Sequence, residues 1–306
     1  MKVFLTGGAG FIGIHTTLKL IKAGHDVCLL MRPGCRLDGL SEIKHGLHVM
    51  TGCLEDIETL RTEILAFSPD AVIHLAWKGV DPGDRNEDFQ RENMDLTRDL
   101  MDLAAEGGSI KHWISLGSQA EYGPCNVAIS ETTSAHPTTT YGKVKLETGL
   151  VSQELAKTYG IRFAWLRLFS CYGPFDYGNS FIPFLIKSLL ENSSPGLTLG
   201  EQQWDYLYVE DVAEAIVSTL EQSEVSGIFN LGSGRPVTIR TVAEAIRDHI
   251  DPGLTLKFGA YDYRPDQVMH MTANVEKLQA ATGWRPRVGW NEGMEKTVRW
   301  YRETSF

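Results

Sequence analysis

The chain has 306 residues, 42% hydrophobic and 22% charged, with a formal net charge of −10. That length supports a sizeable core in one large or two ordinary domains, and the composition is that of an ordinary globular protein. The acidic balance, with no Lys/Arg cluster, argues against a nucleic-acid surface, and no apolar run reaches membrane-spanning length.

The first strand is read at Lys2-Val3-Phe4-Leu5-Thr6, an apolar run with β-branched and aromatic members. Gly7, Gly10 and Gly13 follow in Gly-x-x-Gly-x-x-Gly spacing, and Ile14 to Ala23 reads as a helix. A strand that turns through glycines into a helix lets backbone approach a pyrophosphate, with the N–H groups and positive dipole end of the helix aimed at it. A plain glycine-rich turn is the alternative, but the strand–glycine–helix context favours a dinucleotide site. Because the N-terminus reads directly as a strand, no signal peptide is expected there. Cys28, Cys35, Cys53, Cys125 and Cys171 form no Cys-x-x-Cys pair and are odd in number. Buried free thiols in a reducing cytoplasm are expected.

Further strands are predicted at His25 to Met31, Leu47 to Met50, Ala71 to Ala76, His112 to Leu116 and Arg162 to Arg167. Helices are predicted between them at Ile57 to Phe67, Asp88 to Glu106 and Tyr141 to Tyr159. Alternation with near-continuous apolar strands predicts an α/β fold, a Rossmann-like doubly wound parallel sheet covered by helices on both faces. After Gly173-Pro174 the pattern loosens. Short helices (Ser180 to Glu191, Glu210 to Gln222) mix with brief strands at Leu197 to Leu199, Ile228 to Leu231 and Thr255 to Phe258. We place a dinucleotide-binding domain at 1–174, with some later elements packing back onto it. A smaller α+β substrate lobe is expected over 175–306.

An acidic residue closing the second strand would hold the adenosine ribose hydroxyls and repel a 2′-phosphate. That position holds Met31, followed by Arg32, with Arg36 nearby. A guanidinium grips a phosphate through paired charge-assisted bonds, so NADP(H) is favoured and NAD(H) remains possible. A solvated loop arginine is the alternative reading of Arg32.

Tyr141 and Lys145 lie four apart, hence on one helix face. A neighbouring ammonium favours the phenolate, so the pair can shuttle a proton to or from a carbinol oxygen while hydride moves at a nicotinamide. Ser118, in the segment leaving the fifth strand, is the third candidate, a hydroxyl for the reacting carbonyl. Its alternative role is to cap a turn. Ser115, inside the strand, is assigned to packing.

Several segments in order resemble the extended short-chain dehydrogenase/reductase family of nucleotide-sugar epimerases, dehydratases and reductases. They are Thr6 to Gly13, Tyr141-Gly142-Lys143-Val144-Lys145, Arg167 to Pro174, Tyr208 to Ala213, Asn230 to Gly234 and Gly283-Trp284-Arg285-Pro286. The resemblance implies a Ser118, Tyr141 and Lys145 triad. It implies backbone N–H groups of Phe11 and Ile12 on the pyrophosphate, a cofactor cleft lined by Leu54, Leu75, Ala76 and Trp77, and Asn93 on the fourth helix as a structural or relay residue. The family more often has a small residue where Trp77 stands. A nucleotide-diphosphate sugar would meet Ser118, Gln119, Asn179 and Arg264, and a homodimer through the helices at Asp88 to Glu106 and Tyr141 to Tyr159 is implied. No metal is expected. Asp211 is expected to cap its helix, Trp204 and Tyr206 to pack, and Asn230 to Gly234 to shape the lobe.

In this family the 4,6-dehydratases carry Asp then Glu after the catalytic Ser/Thr. Here Gln119 and Ala120 stand there, which cannot do that acid–base work. Glu121, one further along an extended segment, would point to the opposite side unless the loop bulges. What remains is reduction of a 4-keto nucleotide-linked 6-deoxyhexose with NADPH, with a 4-epimerase as the alternative. The intact triad makes a non-catalytic NADP-binding scaffold the least favoured reading.

Overall fold

A computed structural model describes residues 1–35, 38–41, 43, 47–125, 127–264 and 267–304. Arg36, paired above with Arg32, lies outside the described residues. In chain order the first elements are β1 (Lys2–Thr6), α1 (Phe11–Lys22), β2 (Asp26–Met31), β3 (His48–Thr51), α2 (Arg61–Phe67), β4 (Ala71–His74), α3 (Glu92–Glu106) and β5 (His112–Ser118). Then come β6 (Ala128–Ile129), α4 (Thr140–Tyr159), β7 (Arg162–Leu168), β8 (Ser170–Tyr172), α5 (Phe181–Leu190), β9 (Gln203–Trp204), β10 (Tyr206–Tyr208) and α6 (Val209–Glu221). The rest are β11 (Gly227–Leu231), β12 (Val237–Thr238), α7 (Ile239–Ile250), β13 (His270–Ala273), α8 (Glu276–Thr282) and α9 (Trp290–Glu303).

The main sheet has seven strands in the order β11-β7-β5-β4-β1-β2-β3, every pair parallel. Both faces are buried, which is why its strands read as unbroken apolar runs. Val3, Leu5, Val27 and Leu29 face α1 and α6. Phe4, Cys28, Leu30 and Val72 face the other way, toward α2, α3 and α4. Chain order reverses at β1, whose neighbours are β2 and β4. A crevice opens at such a switch point, beyond the carboxyl ends of the strands. The Rossmann-like doubly wound sheet is therefore as expected.

The later half differs in detail. Leu197 to Leu199 and Thr255 to Phe258 are not strands; they share a single bridge, Gly196 with Lys257. The chain turns back at once, Ala260 and Tyr261 both donating to the Leu197 carbonyl, so no ladder extends. The segment at Ile228 to Leu231 lies in β11, an edge strand of the main sheet and so one of the later elements that pack back onto it. Helices α7, α8 and α9 were not anticipated. α5, α7 and α9 share a core of Ile182, Leu185, Ile186, Val242, Ile246, Met294 and Val298.

Beside them β12, β9, β13 and β6 form a small sheet. Asp205, fully buried, ties this region together. Its carboxylate accepts from Ser233 N (2.6 Å) and Oγ (2.6 Å), Gly234 N (2.9 Å) and Ala273 N (3.0 Å). Asp211 does not cap α6. Its carboxylate accepts from the backbone of Arg287 and Val288, each at 3.0 Å, and so anchors the segment leading to α9.

Candidate active site

The loop after β1 depends on glycine at two positions. Gly7 has φ +72°, and a Cβ there would lie 2.7 Å from Ala76 N. A Cβ at Gly13 would lie 1.9 Å from the Gly7 carbonyl oxygen. The turn can therefore close tightly enough to bring α1 up to the strand end. No side chain caps α1, so its first N–H groups are left for a ligand. Cradle and uncapped helix fit the pyrophosphate of a dinucleotide.

The cradle opens into a cavity of about 770 Å³ at the carboxyl ends of β1, β2, β4, β5 and β7. Gly7, Gly10, Phe11, Ile12 and Gly13 form one wall. Arg32, Leu54, Leu75, Ala76, Trp77 and Asn93 line it further along, and Ser118, Gln119, Tyr141 and Lys145 line its other end. β4 ends at His74, so Leu75 and Ala76 belong to the following loop. Asn93 lies on the third α-helix, not the fourth, since only α1 and α2 precede α3. Its amide accepts from Lys78 N at 2.8 Å and donates to Lys78 O at 3.1 Å, clamping the loop beside the cavity.

Two expected residues are not brought to the wall. Asn179 is exposed and donates its backbone N–H to Asp81 at 3.4 Å, while the next residues, Ser180 and Phe181, reach the cavity. Arg264 is exposed and outside the cavity lining. A spacing argument fixes neither side chain's direction, because both sit in irregular loops. Trp204 and Tyr206, assigned to packing, line the cavity as well.

α4 starts from Thr139, whose hydroxyl accepts from Gly142 N at 3.1 Å. Tyr141 and Lys145 are both buried on its inner face. The Ser118 side chain lies beside the Tyr141 phenol and favours its ionised form. Burial raises the phenol's pKa, against Ser118 and the nearby Arg85 charge. Two cations lie against the Tyr141 ring, the expected Lys145 with Nζ 5.9 Å from its centroid and Arg85 at 5.3 Å. Lys145 Nζ also donates to Leu116 O at 2.8 Å and sits 3.5 Å over the Trp77 ring. Burial pulls Lys145 down to about 7, with Glu121 opposing the shift. Trp77 is pinned in turn, its Nε1 donating to Gln90 Oε1 at 2.9 Å.

Ser118 meets both of its sequence readings at once. It lies beside the phenol, and it N-caps a 3-10 turn at Gln119–Glu121, accepting from Ala120 N at 3.2 Å. The segment is therefore not extended, contrary to expectation. Glu121 nonetheless turns away from the cavity into the core, where its Oε1 accepts from Ser118 N at 2.8 Å. Ser-x-x-Glu is the capping-box pattern, so this turn had a signal in the sequence. Arg85, Gln90 and Glu55, a carboxylate in the cavity wall, had none.

A parallel sheet that opens at its switch point onto a glycine cradle, with serine, tyrosine and lysine on the same crevice, defines the extended short-chain dehydrogenase/reductase class. The chain belongs to the NAD dependent epimerase/dehydratase family, which residues 3–232 match. Among its relatives is an Arabidopsis thaliana trifunctional UDP-glucose 4,6-dehydratase/UDP-4-keto-6-deoxy-D-glucose 3,5-epimerase/UDP-4-keto-L-rhamnose-reductase, 26% identical over 98% of this chain. The chain spans about half the length of that protein, 47%. Its fold is similar to the UDP-N-acetylglucosamine 4-epimerase of Methanobrevibacter ruminantium, solved with UDP-N-acetylmuramic acid. The TM-score is 0.87 at 26% identity, over 99% of this chain and 98% of that one. It is also similar to the UDP-glucose 4-epimerase of Thermus thermophilus in complex with NAD, with TM-score 0.85 and 26% identity over 100% of both chains.

Proposed function

We propose that this protein reduces the 4-keto group of a nucleotide-diphosphate-linked 6-deoxyhexose with NADPH. The observation that carries the reading is the end of the cavity at Ser118. Gln119 follows it in the wall, Ala120 offers only a methyl group, and Glu121 is committed to the core. No carboxylate stands there among the described residues to eliminate water from a sugar. Serine, tyrosine and lysine suffice for hydride and proton transfer.

The cofactor supplies the hydride acceptor or donor at its nicotinamide. Tyr141 gives a proton to the oxygen at C4 as negative charge builds on it. Ser118 holds that oxygen through a hydrogen bond, and Lys145 contributes positive charge behind the phenol and reaches toward the nicotinamide ribose. Arg32, exposed at the cavity rim beside buried Met31, favours the 2′-phosphorylated cofactor. Residues 175–306 supply most of the sugar-nucleotide lobe, with Ser180, Phe181, Trp204 and Tyr206 reaching the cavity. The chain pairs as a cytoplasmic homodimer through α3 and α4.

A 4-epimerase with tightly held NAD is the second reading. The names of the similar solved structures favour it, as does Glu55 in the wall, which can accept from ribose hydroxyls. Incubation with NADPH and nucleotide-linked 4-keto-6-deoxyhexoses separates the two. Stoichiometric loss of reduced-cofactor absorbance supports the reductase. Interconversion of two sugars without net cofactor change replaces it with the epimerase.

A further inference from the structure

Glu121 is fully buried and the proposed chemistry does not use it. Three donors from two strands converge on its carboxylate. Oε1 accepts from Ser118 N at 2.8 Å and Trp165 Nε1 at 2.9 Å, and Oε2 accepts from Arg167 Nε at 2.6 Å. Arg167 is itself buried and lies 4.5 Å over the Tyr122 ring. A buried ion pair adds little stability over well-packed apolar residues, so stability alone does not account for one at this place. Its place is directly beneath Ser118.

We propose that Glu121 is a positioning residue for the reaction. It fixes the backbone of Ser118 from below and supplies the negative charge that faces Lys145 and Tyr141. The inference rests on the oxidoreductase reading but not on the direction of hydride transfer. It also accounts for a carboxylate that sits next to a catalytic serine without reaching the cavity. With both oxygens taken by structural donors, Glu121 serves as neither acid nor base toward a substrate.

The other groups around Lys145 do not supply that charge. Trp77 and Trp165 offer ring faces at 3.5 and 5.8 Å, and Leu116 offers a carbonyl oxygen. Tyr141 is a buried phenol on the same helix. His74, on β4, is held neutral by burial, with its pKa lowered to about 3. Arg85, on the loop after β4, is cationic and faces the phenol. Glu121 opposes the downward shift of Lys145 and adds to the upward shift of Tyr141. Its charge therefore keeps both groups protonated to higher pH.

The test compares Glu121→Gln, Glu121→Asp and Arg167→Gln in the full chain. Glutamine keeps an acceptor for Ser118 N and Trp165 but removes the charge. The alkaline limb of kcat/KM then moves down by on the order of one pH unit. Aspartate keeps the charge and leaves the limb in place, whatever its effect on the rate. Arg167→Gln leaves the carboxylate uncompensated and moves the limb up.

Tyrosinate absorbance, taken as the difference from the corresponding Tyr141→Phe variant, follows the same shifts without turnover. Opposite shifts in the two glutamine variants support the proposal. Equal losses at every pH, with the limb and the tyrosinate titration unmoved, overturn it. If Glu121→Gln does not fold, the upward shift in Arg167→Gln decides the matter. A wild-type protein that turns over no nucleotide sugar defeats the oxidoreductase reading instead, and the tyrosinate titration still judges this one.

Discussion

Gly13→Ala gives the sharpest test of the cradle. The added Cβ would sit 1.9 Å from the Gly7 carbonyl oxygen and 2.7 Å from Gly8 Cα. Both neighbours are backbone, so no side chain can rotate away. Relief requires α1 to retreat from β1 by about an ångström. Overpacking of this kind costs about 3 kcal/mol, or roughly 6–9 °C in melting temperature for a chain of this size.

The same retreat withdraws the Phe11 and Ile12 N–H groups from the phosphates. A misplacement of about 1 Å in a positioning group can cost on the order of a hundredfold. We therefore expect dinucleotide affinity to fall by about that factor. Gly10→Ala is the internal control for stability, because in the free protein its Cβ would meet only the Gly7 oxygen at 3.3 Å. It should cost less than about 1 kcal/mol. Calorimetric titration with NADP(H) and NAD(H), alongside thermal unfolding, reads both quantities. If Gly13→Ala binds and melts like wild type, or if Gly10→Ala is the more damaging to stability, the steric reasoning is wrong.

Four further outcomes follow from the geometry. Tyr141→Phe should abolish the chemical step while dinucleotide binding persists; near-normal turnover would remove Tyr141 from its role. Arg32→Ala should weaken NADP(H) binding by about ten- to a hundredfold, the worth of charge-assisted bonds to a phosphate, and leave NAD(H) unchanged. Equal weakening of both would defeat the NADP reading. Asp205→Ala strands the N–H groups of Ser233, Gly234 and Ala273 and should cost about 4 kcal/mol in denaturant unfolding; a loss under about 1 kcal/mol would contradict that accounting.

The fourth concerns pH. Burial lowers Lys145 from 10.5 to about 7, whereas the unfolded chain keeps that proton to about pH 10. Between those values the unfolded state binds more protons, so the contribution of Lys145 to stability rises with pH. Lys145→Met should therefore raise the melting temperature more at about pH 6 than at about pH 10. An equal gain at both would show that the ammonium is not buried in solution.

The sequence was most legible where a local pattern is also the structural cause. The glycine spacing, the buried strands and the Tyr141–Lys145 repeat each follow from backbone sterics or helix periodicity. Legibility faded where partners come from distant segments. Nothing local to Glu121 says that Trp165 and Arg167 will meet it. The Ser-x-x-Glu pattern marks the turn but not the ion pair. The stretch after residue 174 was harder because its strands are two to five residues long and its cohesion rests on side chains such as Asp205. The helices there do carry a local signal, since α7 buries Ile239, Val242, Ala243 and Ile246 at helical spacing.

By itself, then, the sequence determined the parallel sheet, the cradle and the placing of Tyr141 and Lys145 on one helix face. Those depend on φ/ψ limits, burial on two faces and a four-residue repeat, all of which act within a few residues. Only the tertiary structure decided that Arg85 joins Lys145 at the phenol, where Glu121 points and which residues reach the cavity. Those are matters of direction between segments tens of residues apart. Burial and charge act across such gaps only after folding has closed them.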